Sequence, residues 1–133
     1  MLPVDAFITF LPAPAWDATR QFYGVVLGLP CVLEQVDCCI YQVAGTGYLG
    51  FCQREAAPQP AERVILTLVT DAVDEWHQHL QQHGVEVVKP PTFNERYQIY
   101  HMFVRDPNGY LVEIQRFEDP RWAAHTSTAL PPH

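Results

Sequence analysis

One pattern occurs twice in this chain. Gly47-Tyr48-Leu49 with Gln53-Arg54 recurs as Gly109-Tyr110-Leu111 with Gln115-Arg116, at a constant spacing of 62 residues. Five identities in an eight-residue window, each carried on a four-residue turn (Ala44-Gly45-Thr46-Gly47 and Asp106-Pro107-Asn108-Gly109), exceed what two generic strands share. Duplication leaves few folds open to 133 residues. Each copy has about 55 to 60 residues and is too small to bury much alone. A half-sized module also leaves sheet edges unpaired, so two must combine, within one chain or across a dimer.

Hydrophobic periodicity gives both copies the same element order. Ala6–Leu11 reads as a strand, and Trp16–Leu27 as a helix stopped by Gly28. Strands are expected over Cys31–Gln35, Cys38–Val43 and Tyr48–Gln53, followed by a polar linker over Glu55–Glu62. The second copy reads as a strand over Val64–Val69, a helix over Ala72–His83 stopped by Gly84, and strands over Val85–Val88, Tyr97–Arg105 and Tyr110–Arg116. The expected class is α+β, with two tandem βαβββ modules.

Composition narrows the partners. Lys and Arg number 8 against 15 Asp and Glu, a net charge of −7 that argues against nucleic acid. No apolar run approaches the roughly 18 residues that span a bilayer, and Met1–Ala6 lacks the features of a signal peptide, so no membrane partner and a cytoplasmic location are expected. The four cysteines, Cys31, Cys38, Cys39 and Cys52, lack CxxC spacing and are expected as free thiols. Cys38 and Cys39 could take a soft metal or an arsenical, but neighbours in a strand point to opposite faces.

Two segments carry a family resemblance. Phe22-Tyr23-Gly24-Val25-Val26-Leu27-Gly28-Leu29 resembles the FYxxxLGL helix end of the vicinal oxygen chelate superfamily, and Asp106-Pro107-Asn108-Gly109-Tyr110-Leu111-Val112-Glu113 resembles its DPxGxxxE hairpin. That superfamily includes glyoxalase I, extradiol dioxygenases and the fosfomycin- and bleomycin-resistance proteins. The resemblance implies a single domain over 1–117, with modules at about 5–55 and 62–117, and leaves 118–133 as a C-terminal extension. It implies a cup-shaped antiparallel sheet with helices on the convex side and a ligand cavity on the concave side. In the family's enzymes a divalent metal sits in the cup, held by residues, often His and Glu, from the first and last strands of each module.

Carried over position by position, the resemblance leaves that metal site incomplete. Glu113 matches the terminal carboxylate ligand, whereas its repeat counterpart, Phe51, cannot ligate. Spacing puts the first-strand ligand at Phe7 or Ile8 and its second-module equivalent at Val64, none of them a donor. One carboxylate does not hold a catalytic divalent ion. No cofactor is therefore expected, and Glu113 is a metal ligand only if an ion binds at all.

Candidate chemistry centres on His101 and Glu113. His77, His79 and His83 fall on the second helix and read as a solvated face, and His125 and His133 lie in the tail. Asp106-Pro107-Asn108-Gly109 describes a type I turn followed by a left-handed glycine. That hairpin pairs Phe103 with Glu113 and His101 with Gln115, so that His101, Phe103, Leu111, Glu113 and Gln115 share a face; a plain two-residue hairpin would flip His101 to the helix side. His101 and Glu113 are the candidate catalytic residues, though a carboxylate and an imidazole can equally just satisfy each other. By the 62-residue repeat Cys39 corresponds to His101, and Phe7, Tyr41, Phe51 and Phe103 either line the same concave surface or fill a core or a dimer seam, since pocket and core share this composition. The candidate ligand-binding set is thus Phe7, Cys39, Tyr41, Phe51, Val64, His101, Phe103 and Glu113. The leading expectation is a homodimeric protein of the glyoxalase/bleomycin-resistance type that binds or sequesters a small amphipathic or aromatic molecule. The alternative is a divalent-metal lyase, isomerase or dioxygenase using Ni, Mn, Fe or Zn with Glu113 and His101; a third is an interaction module without ligand. Whether the chain is an enzyme stays open at this point.

Overall fold

The computed structural model describes residues 2–129 and divides into two compact units. The first runs to Val64 and includes the turn Asp106–Tyr110; the second comprises Ile65–Arg105 and the chain from Leu111 onward. Each contains one four-stranded sheet. Among the described residues no helix is long and apolar enough to cross a membrane.

In the first unit β1 (Phe7–Pro12), α1 (Trp16–Gln21), β2 (Cys31–Gln35), β3 (Cys38–Ala44) and β4 (Gly47–Cys52) give a sheet of order β1-β4-β3-β2. α1 has no side-chain cap of its own, and the Ala15 N–H donates instead to Asn108 Oδ1 at 3.0 Å. The helix continues as a π-turn over Phe22–Val26, closed by Leu27 N–H to Phe22 O. This wider turn directs Phe22, Tyr23 and Val26 inward. The Tyr23 ring lies 4.4 Å from Phe51 and 6.3 Å from Tyr41.

The second unit repeats the order with β5 (Ile65–Val69), α2 (Val73–Gln82), β6 (Val87–Asn94), β7 (Ile99–Arg105) and β8 (Leu111–Phe117), in a sheet of order β5-β8-β7-β6. α2 lies on β6, β7 and β8. Its Val73 and Leu80 are fully buried, as are Met102, Val104, Val112 and Ile114 of the sheet. Tyr100 O–H donates to Asp74 of α2 at 2.5 Å, which fixes the side of β7 that the helix covers. α3 (Pro120–Ala129) follows, its Trp122 stacked on Phe117 at 4.4 Å. His133 of the expected extension lies outside the described residues.

The α+β class and the repeated βαβββ order are as expected, and several details differ. The sheets are mixed: β1 joins β4 and β5 joins β8 in parallel, the other pairs being antiparallel. β6 runs on through Pro90 and Pro91, which an edge strand with register irregularities tolerates because no ladder N–H is needed there. Val64 is not in β5; it closes a short 3-10 turn over Ala61–Arg63. His77 and His79 are half-buried, with His79 edge-on to Trp76, and only His83 of that trio is exposed.

The cysteines are also not all free. Cys38 and Cys52 face each other across β3 and β4 and form a disulfide, with their Cα atoms 4.2 Å apart. Cys31 and Cys39 remain thiols. Fourteen residues separate the bonded pair, and only the ladder register brings them together. Thiol titration of the denatured, unreduced chain is expected to count two cysteines, rising to four after reduction. Four without reductant would show that the bridge does not form.

Candidate functional site

The polar cluster of the second unit starts from a turn. Asp106 Oδ1 accepts the backbone N–H of Asn108 at 2.8 Å and of Tyr110 at 2.9 Å, and Asp106 N–H donates to Tyr110 O at 2.9 Å. Gly109 adopts φ +94°, the left-handed conformation that closes a three-residue loop. Register along β7 and β8 follows without a break: Phe103 opposite Glu113, His101 opposite Gln115. One residue of slippage would turn all four to the helix side.

His101, Glu113 and Gln115 are buried on the face away from α2. Glu113 is surrounded by donors from its own sheet. Thr67 O–H donates to Oε1 at 2.8 Å from the neighbouring strand β5, and His101 Nδ1 lies 2.7 Å from Oε2. With its amide nitrogen turned toward Glu113, Gln115 donates to both oxygens at 3.2 and 3.1 Å. Such bonds offset the cost of taking a carboxylate out of water. His101 Nε2 is buried and has no hydrogen-bond partner. Phe103, half-buried, stands edge-on to the imidazole at 5.3 Å. Phe117 ends the same face of β8, under Trp122.

The rest of the expected binding set does not share one surface. Tyr41 and Phe51 lie under α1 and its π-turn with their rings against Tyr23, and Cys39 is buried on the same face of β3. They belong to the core of the first unit and not to an open face. Register explains the difference. Ala44 pairs with Gly47, but a register irregularity follows, and beyond it Gln42 pairs with Tyr48 as Arg105 pairs with Leu111, with five residues between them in each hairpin. The two ladders therefore coincide at a spacing of 63, one more than that of the shared identities, and one residue of offset reverses the face on which each matched residue stands. The residues of β4 facing away from the helix are thus Tyr48, Gly50 and Cys52, and a methyl group on Gly50 would lie 2.5 Å from the Phe10 ring. At that spacing the counterpart of Glu113 is Gly50 and that of His101 is Cys38, whereas Cys39 matches Met102 on the helix side. Phe7 stands at the start of β1, 71% exposed and away from that core. Val64 precedes β5, and the residue of that strand opposite Glu113 is Thr67. Counting back from Asp71 overshoots Thr67. The signal that marks it is its place as the one polar residue of an otherwise apolar Ile65-Leu66-Thr67-Leu68-Val69.

A second buried carboxylate serves the turn. Asp106 Oδ2 accepts the Tyr23 O–H at 2.7 Å. Burial pushes the Asp106 carboxyl up, against the lowering effect of its bonds from Tyr23, Asn108 and Tyr110. Burial, and then the Asp106 charge, push the Tyr23 hydroxyl well above its ordinary value.

The donor set does not fit a divalent ion. Of the usual ligand types the cluster offers only Glu113 and His101, and both Glu113 oxygens already accept side-chain donors. Among the described residues no group of three or more His, Cys, Asp or Glu could hold a metal. β5 contributes a hydroxyl where the family's enzymes often have an imidazole.

Comparison with known proteins agrees with the resemblance. The Glyoxalase domain-containing protein RDO1 of Mycosarcoma maydis is 29% identical over 73 residues, which cover 53% of this chain and 42% of that protein. The match therefore spans less than half of this relative. Lactoylglutathione lyase from Agrobacterium tumefaciens superposes with a TM-score of 0.70 at 23% identity, over 91% of this chain and 98% of that one. A glyoxalase/bleomycin resistance protein/dioxygenase from Nocardioides gives 0.73 at 15% identity, over 90% and 86%. These likenesses concern the fold. The sequence profile described as Glyoxalase/Bleomycin resistance protein/Dioxygenase superfamily matches residues 8–114, and the chain belongs to that superfamily.

Proposed function

We propose that this chain binds a small aromatic or amphipathic molecule on the Glu113 face of its second sheet, and that it does so without the divalent ion its enzymatic relatives use. One observation supports this most: Glu113, the residue matching the family's carboxylate ligand, is engaged by Thr67, His101 and Gln115 of its own sheet. A carboxylate whose acceptors are filled by side-chain donors orients those donors and leaves little to offer a cation. Binding or sequestration fits better than metal-assisted chemistry. We read residues 1–117 as the functional domain, acting as a homodimer. In the cytoplasm, where we place it, the Cys38–Cys52 bridge would be held reduced.

Metal analysis tests this reading. The purified protein, incubated with Ni, Mn, Fe(II) or Zn and desalted, is expected to retain less than about one ion per ten chains. One tightly held ion per chain, lost on Glu113→Ala, would move the protein to the lyase, isomerase or dioxygenase class.

A further inference from the structure

The contact between Glu113 and His101 decides which imidazole nitrogen carries the proton. An ionised carboxylate only accepts, so Nδ1, 2.7 Å from Oε2, is the N–H of the neutral ring. Nε2 is then a lone-pair acceptor, and it is the buried side-chain atom that lacks a partner. Buried polar atoms are normally paired, and an orphan calls for a missing partner. That partner must donate. It is also best uncharged, because the Glu113 oxygens that would compensate a cation already accept from Thr67, His101 and Gln115.

We propose that His101 Nε2 is the recognition point for a hydroxyl group on a small aromatic ligand, whose O–H donates to Nε2 while its ring packs beside Phe103. This rests on the binding function proposed above and names the ligand class: phenols and related neutral hydroxyl compounds. Glu113 is a positioning residue here, acting through the tautomer of His101. Nε2 is shielded from solvent, so binding requires its cover to open.

The test uses p-cresol and p-xylene, which have nearly the same shape and differ in the hydroxyl. Long-range 1H–15N spectra of the full chain labelled at histidine are expected to show His101 protonated at Nδ1 and bare at Nε2. Addition of p-cresol should shift the Nε2 signal, and p-xylene should not. p-Cresol should bind at least about tenfold more tightly, the effect of one hydrogen bond to an otherwise unpaired buried acceptor. In Glu113→Gln the new amide can donate to Nδ1, moving the ring proton to Nε2; the cresol oxygen can then only accept, so the bare Nε2 signal should be lost and the preference for p-cresol should weaken, a phenol oxygen accepting less strongly than its O–H donates. A proton on Nε2 in the native protein would overturn the inference even if no variant folded. Equal affinity for both probes would overturn it while leaving the binding function standing. Failure of both probes to bind at millimolar concentration would overturn the two together.

Discussion

Asp106→Ala is expected to lower the unfolding free energy by about 3 to 5 kcal/mol, the loss of several buried hydrogen bonds to one carboxylate. The side chain is 4% exposed and receives Asn108 N–H, Tyr110 N–H and Tyr23 O–H. Truncation leaves the Tyr23 hydroxyl buried with nothing to donate to, and unmakes the bonds that close the β7–β8 loop. Asp106→Asn should cost about 1 kcal/mol or less, since its amide oxygen still accepts the two backbone N–H groups and its nitrogen can face the Tyr23 oxygen. The two variants also differ in pH dependence. Burial raises the Asp106 carboxyl, so the part of its contribution that is linked to proton binding is fully present below the ordinary value of about 3.9 and is lost as pH rises through the elevated folded-state value, while the hydrogen bonds to the carboxylate persist. Asn does not titrate and should flatten that part of the profile. Urea unfolding between about pH 3 and 7 reads both effects. An alanine variant within about 1 kcal/mol of the native protein would show that the turn is held from elsewhere.

The same turn explains why half of the site is legible in the sequence. Asp106-Pro107-Asn108-Gly109 specifies its own loop length, and a loop of known length fixes every pair beyond it, so Phe103 with Glu113 and His101 with Gln115 follow from the residues alone. Ala44-Gly45-Thr46-Gly47 carries no such specification. Its tight Ala44–Gly47 pair is followed by a register irregularity, so the two ladders coincide at a spacing of 63 while the shared identities recur at 62, and Tyr41, Phe51 and Cys39 turn toward α1. The two copies share identities and not the faces on which those residues stand. The pairing of Thr67 with Glu113 and the Cys38–Cys52 bridge are hidden from sequence reasoning for a related reason, although Thr67 itself stands out as a polar residue in an apolar strand. Each depends on which residues two strands bring opposite one another, and periodicity within a single strand does not contain that information.

Whether the Glu113 cluster serves the fold or a ligand can be decided by removing it in two ways. Glu113→Ala alone is expected to lower stability by about 3 to 5 kcal/mol, because Thr67 O–H, His101 Nδ1–H and the Gln115 amide then lose their acceptor in a buried setting. Replacing the whole cluster is a different matter. Thr67→Val, His101→Phe, Glu113→Leu and Gln115→Met together remove every polar atom at once and keep similar volume, so no group is left unpaired. Exchanges of buried ionic clusters for apolar side chains are often neutral, or stabilising by about 1 to 4 kcal/mol. We expect the fourfold variant to match or exceed the native protein in urea, while p-cresol binding falls by about 100-fold or more. That combination would mean the sheet folds as well without its polar cluster, leaving ligand recognition as what the cluster contributes. A fourfold variant destabilised by more than about 3 kcal/mol would instead make the cluster part of the fold's own stabilisation and would withdraw the main support for a binding site there.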